Sequence, residues 1–183
     1  MRTGLLACLI AAAAVTMTAD DISLPSPLFS FQRAGNPAPP PIALSQYRGK
    51  IVALAFIHTT CPHCQELTRT LIPIARDYAP RGVEVLECAF NDNAERLVVG
   101  FVGEFHPPFP VGWSTYPAVS AYLKYSSMNP IAFVPHMVFL DRRGVIRADI
   151  PGESNFFLEA DRNIRHTLDD LLKPPAAPKV KSR

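Results

Sequence analysis

An α/β fold is predicted by this sequence, and three observations carry the prediction. Ile51-Val52-Ala53-Leu54-Ala55-Phe56-Ile57 is apolar at every position, the pattern of a parallel strand covered on both faces at the centre of a sheet. Leu67, Leu71, Ala75 and Tyr78 then recur at the spacing of one helix face, and residues 83–90 supply a second strand. Residues 133–141 and 145–150 flank Arg142-Arg143-Gly144 as a tight hairpin. A strand-helix-strand unit crosses over right-handed and makes its two strands parallel, so the hairpin turns the sheet into a mixed one.

At 183 residues the chain is long enough for one well-packed domain, expected over 42–172. A net charge of +2 without a dense basic block argues against nucleic acid as a partner, since its phosphates demand clustered Lys and Arg. Four cysteines are too few to build a disulfide scaffold of this size, so Cys61 and Cys64 need a local explanation. Arg2, the apolar run 4–15 and the small and polar residues 16–20 read as an export signal over 1–19, cut after Ala19. The run is too short to span a bilayer. Leu5-Leu6-Ala7-Cys8 looks like a lipobox, but too few residues precede Cys8, which reads instead as part of the discarded signal.

The remaining elements follow in order. Residues 20–41 are Pro-rich, and Pro25, Pro27, Pro37, Pro39, Pro40 and Pro41 interrupt helix and ladder hydrogen bonding through most of the stretch. Within it, 28–31 is a candidate edge strand. Residues 45–50 suggest a turn of helix closed by Gly49. Pro62 suits the first position of the long helix, which Pro73 should kink and Pro80 with Gly82 should end. A helix-like run over 91–105 with 97–102 as its apolar part, a strand fragment at Val111 and a short helix over 116–125 fill the space before the hairpin. Asn155 is the expected N-cap of a last helix striped by Phe157, Ile164, Leu168, Leu171 and Leu172. Residues 173–183 read as a disordered basic tail.

Cys61-Pro62-His63-Cys64 sits where the central strand gives way to the helix. That placement puts Cys61 at a helix N-terminus, where unpaired N–H groups and the helix dipole favour a thiolate. Cys64 lies one turn along, within disulfide reach. Thiol-disulfide exchange needs this division of labour: an exposed thiolate that attacks, and a second thiol that resolves the mixed disulfide.

With Tyr47-Arg48-Gly49-Lys50 before the central strand, Val134-Pro135 before the hairpin, and an inserted segment between Phe90 and Val134, the chain resembles the thioredoxin superfamily. It is most similar to the TlpA/ResA-type exported thiol-disulfide oxidoreductases, over roughly residues 29–172. The resemblance implies a thioredoxin-like fold, a central mixed sheet flanked by helices, with an insertion between the βαβ unit and the C-terminal ββα unit. It implies Cys61 and Cys64 as the catalytic pair, with Pro62 and His63 tuning the site. Pro-His between the cysteines, as in the DsbA-type oxidants of the superfamily, leans toward oxidase or isomerase chemistry. Pro135 resembles the superfamily's cis-proline, with Val134 offering backbone to a substrate strand. Protein thiols and disulfides are the implied partners, reached by a monomer with a soluble or membrane-bound redox partner, outside the cytoplasm, with no cofactor and no metal.

Thioredoxin has a buried acid six residues before its first active cysteine, where this chain has Ala55. The proton acceptor for Cys64 must come from elsewhere or from water; Glu66, Glu84 and Glu87 are each candidates for that base, although all three are expected at the surface. Two other functions share the fold. Copper delivery would use Cys61, Cys64 and His136, but such proteins space their cysteines further apart. Peroxiredoxins carry a proline and a threonine seven and three residues before the reactive cysteine, where Leu54 and His58 stand. Cys88, among apolar neighbours, reads as a buried small residue.

Overall fold

The structure, a computed structural model, describes residues 24–124 and 133–173. The expected signal, Cys8, Tyr125 of the expected 116–125 helix and the tail beyond Lys173 lie outside the described residues.

Ile51–Ile57 is strand β4, and all seven of its residues are buried. Val83–Ala89, strand β5, runs parallel to it, joined by helix α1, Pro62–Tyr78. Its other neighbour is β7, His136–Leu140, which turns through 141–144 into β8, Val145–Ile150, both pairings being antiparallel. Between β5 and β7 the chain adds helix α2, Ala94–Phe105, strand β6, Val111–Trp113, and helix α3, Tyr116–Leu123. Helix α4, Ala160–Leu172, closes the domain. The architecture is thioredoxin-like, a mixed sheet flanked by helices with the expected insertion.

The Pro-rich segment contributes more to the sheet than its prolines suggest. Leu24–Pro25, β1, pairs with β8, and Ile42–Ala43, β3, pairs with Ser30–Arg33, β2. Strand β2 is not an edge: Ser30 and Phe31 face β3, while Gln32 and Arg33 pair with β6. The order is β1-β8-β7-β4-β5-β6-β2-β3. Gly112 makes the β2–β6 pairing possible, because a Cβ there would stand 2.0 Å from the Gln32 carbonyl oxygen.

Each face of β4 carries its own core. Ile51, Ala53, Ala55 and Ile57 pack beneath α1, α2 and α4, with Leu67, Leu71, Phe101, Ile164 and Leu168 among their neighbours. Val52, Leu54 and Phe56 face Phe29, Phe31, Val119 and Tyr122 on the opposite side. A buried side chain of this size stabilises by roughly 1.5–3 kcal/mol, so a doubly covered strand is the most strongly held element of the fold.

Helix α1 runs unbroken through Pro73, which gives up only the bond its N–H would have made to the Arg69 carbonyl. A 3-10 turn, Ala79–Arg81, follows, and Gly82 caps it in the left-handed region at φ +83°. The last helix departs from expectation. Asn155 opens a 3-10 turn, Asn155–Glu159, that precedes α4, and the capping side chain is Ser154, whose Oγ accepts from Phe156 N–H at 3.2 Å. Serine takes the role because it holds extended backbone one residue earlier, so its hydroxyl reaches the free N–H groups.

Candidate active site

The loop between β4 and α1 is pinned from two sides. Thr59 N–H donates to Asn91 Oδ1 at 2.9 Å, tying the loop to the end of β5, and Gln65 Nε2 donates to the Thr59 carbonyl at 3.0 Å. Cys61 is thereby held as the N-cap of α1 with Pro62 at the first helical position; Gln65 N–H donates to its carbonyl at 3.0 Å. Pro62 and His63 are exposed, Cys61 is half-buried, and Cys64 is fully buried.

The two thiols therefore live in different media. Both are unbonded, and they lie close enough to interact. Burial pushes the Cys64 thiol far up; Cys61 and Glu87 push the same way, and only the His58 N–H, donating to Cys64 Sγ at 3.4 Å, opposes them. A buried thiol without a nearby cation keeps its proton, so of the pair Cys61 is the one that solvent and a partner can reach.

The Val134–Pro135 peptide is cis. Phe56 pairs with His136, so Pro135 arrives beside the end of β4, next to the cysteine loop. Val134 and Pro135 share a groove of about 300 Å³ with His63, Glu66, Leu67 and Phe157. Leu158 also lines it and is 80% exposed, an apolar surface in the groove that His63 borders.

Three other groups lie away from the dithiol or in an unexpected place. His136 shares a face with Val138 and Leu140, opposite α1, and its Nε2 pairs with Asp149 Oδ1. Strand parity thus turns it from Cys64, and no cluster of three or more His, Cys, Asp or Glu suited to a metal occurs among the described residues. Cys88 faces the same second core, its thiol pushed up by burial. His58 stands edge-on to Phe90 at 4.6 Å, and burial lowers its pKa.

Glu87 overturns its surface expectation. It is 0% exposed and shares the face of Val83 and Val85, because residues two apart on a strand point the same way. Glu84, of opposite parity, does reach the surface and pairs with Lys50. Asn91, Gln65 and Asp149 were also missed: their partners lie on other elements, and no local pattern marks them.

The Redoxin family model matches residues 24–164. The chain belongs to the redoxin family. Family model and fold agree: the chain is a redoxin with a thioredoxin-like fold. No curated protein matches its sequence. Solved structures match its fold. A thioredoxin family thiol:disulfide interchange protein from Chlorobium tepidum is 23% identical with a TM-score of 0.64, covering 82% of this redoxin and 99% of that chain. A secreted thiol-disulfide isomerase from Corynebacterium glutamicum is 17% identical with a TM-score of 0.66, covering 80% and 84%. The thioredoxin domain of a thiol-disulfide oxidoreductase from Bacteroides vulgatus is 16% identical with a TM-score of 0.64, covering 86% and 100%.

Proposed function

We propose that this redoxin exchanges disulfides with protein substrates through Cys61 and Cys64. The observation that carries the reading is the asymmetry of the pair: Cys61 half-open at the head of α1, Cys64 sealed behind it with its proton held. Cys61 thiolate attacks a substrate disulfide, forming a mixed disulfide and releasing one substrate thiolate. Cys64 then attacks Cys61 Sγ, releasing the second thiolate and leaving the Cys61–Cys64 disulfide; the reverse sequence oxidises a substrate dithiol. The exposed His63 and Pro62 tune the first step, and the groove floored by Leu67 and Phe157 receives the substrate chain alongside Val134 and Pro135.

A protein rather than a small peroxide as substrate is supported by Leu54 and His58 at the positions where a peroxidase carries proline and threonine. The engagement of His136 with Asp149, on the far face of the sheet, weighs against a copper site with Cys61 and Cys64. The 1–19 segment supports export, and no helix of the described residues is long and apolar enough to cross a membrane.

The test is a pair of single substitutions in a protein-disulfide exchange assay. Cys61→Ser should abolish exchange; Cys64→Ser should still attack, stall after one turnover and accumulate a covalent mixed disulfide. Exchange by Cys61→Ser at the original rate would overturn the assignment.

A further inference from the structure

Glu87 is a carboxyl group fully buried in the first core with one oxygen, Oε2, that accepts no hydrogen bond among the described residues. Burying an acid so poorly partnered costs several kcal/mol, and an apolar side chain there would avoid the cost. Its surroundings point to a use. Oε1 contacts Thr68 Oγ1 at 2.9 Å, and the same hydroxyl reaches the Cys64 carbonyl at 3.0 Å. Thr68 follows Cys64 by one helical turn, so both project from one face of α1 onto β5.

A hydroxyl has a single proton to give. With Glu87 ionised, Thr68 can donate to Glu87 or to the Cys64 carbonyl, not to both. With Glu87 protonated, its O–H donates to Thr68 Oγ1 and Thr68 donates to the Cys64 carbonyl; with it ionised, the Thr68 proton turns to Oε1 and holds the carboxylate down, so the hydroxyl follows the charge of Glu87. Resting on the dithiol exchange argued above, we propose that Glu87 is the proton acceptor and donor for Cys64. When the Cys61–Cys64 disulfide opens, Cys64 leaves as a thiolate and takes the Glu87 proton, becoming Cys64–SH beside a carboxylate that recovers its proton from solvent. In the oxidising direction, Cys64–SH passes its proton to the Glu87 carboxylate, Cys64 Sγ bonds to Cys61 Sγ, and the substrate sulfur departs with the electron pair.

The acidity fits the task. Burial pushes Glu87 up to about 8, the Thr68 hydrogen bond opposing, and an acid near the working pH transfers protons best in both directions. The groups facing it leave few other sources for such a titration. From α1 come Cys64, which titrates, and Thr68, which does not; Ala55 of β4 and Val111 of β6 are its cross-strand neighbours. Phe101 of α2 and Ile164 and Leu168 of α4 complete that core with apolar surface. His58 turns to Phe90, which belongs to the other core.

The test is the reaction of the reduced full chain with a chromogenic aromatic disulfide, which releases one coloured thiolate on attack by Cys61 and a second when Cys64 resolves the adduct. In the unsubstituted protein the second release, relative to the first, should quicken with pH up to about 8, as the carboxylate forms, and then level. E87Q should remove that inflexion and slow the second release at pH 8 by roughly a hundredfold, the low end of a general-base contribution. Thr68→Val, which removes the bond holding Glu87 down, should move the inflexion upward and decides the matter should E87Q fail to fold. An E87Q profile with the original rate and inflexion, or an unmoved inflexion in Thr68→Val, would overturn the role of Glu87 alone. A single released equivalent from the unsubstituted protein would contradict the dithiol reading as well.

Discussion

Cys64, Thr68 and Glu87 form a column inside the first core, and the column has a cost that pH exposes. The folded protein holds Glu87 up at about 8, against 4.5 for the unperturbed group. A raised acid favours the folded state fully below the unfolded value, and that contribution is lost as pH climbs through the folded one. Stability should therefore fall by several kcal/mol between about pH 5 and pH 8. Urea unfolding followed across that range checks it: E87Q should flatten the profile and be the more stable protein at pH 8. A merely structural Glu87 would leave E87Q less stable at every pH.

Elements were legible where their signal is contiguous. The unbroken apolar run of β4, the helical spacing of Leu67, Leu71, Ala75 and Tyr78, and the Arg142-Arg143-Gly144 turn all lie within a few neighbouring residues, so periodicity found them. Which way a side chain faces is set by register across the sheet. Glu87 shares parity with Val83 and Val85 and is drawn under α1; an acidic residue at the end of such a run reads as surface until its partner strand is known. The pairing of β2 with β6 was equally hidden, since it joins a Pro-rich segment to a glycine far along the chain. Gly112→Ala should cost about 3 kcal/mol or more, because the clash falls on the Gln32 backbone and no rotamer relieves it. Urea denaturation measures that loss; an unchanged midpoint would mean the two strands can separate freely.

Over the whole molecule, the two cores of β4 sort the chemistry. The α1 face holds the dithiol and Glu87, while Cys88 and His136 lie on the other, so the third described cysteine cannot take part in exchange without unfolding. Cys61 and Cys64 were visible from spacing and context, and Ala55 marked where a buried acid was missing. That acid stands one strand over: Glu87 is the cross-strand partner of Ala55. A tertiary pairing has supplied what the local sequence lacks, which is why the sequence showed the gap without showing what fills it.

The central claim is a two-electron couple confined to Cys61 and Cys64. Equilibrating the protein across a series of glutathione redox buffers, then alkylating free thiols and mapping them by mass, tests it directly. We predict one transition in which Cys61 and Cys64 become protected together while Cys88 keeps its thiol throughout; its midpoint fixes the direction of electron flow in the cell, DsbA-like near −120 mV or thioredoxin-like near −270 mV, on the order of those reference couples. Protection of Cys61 by glutathione alone, with Cys64 still free, would contradict the account.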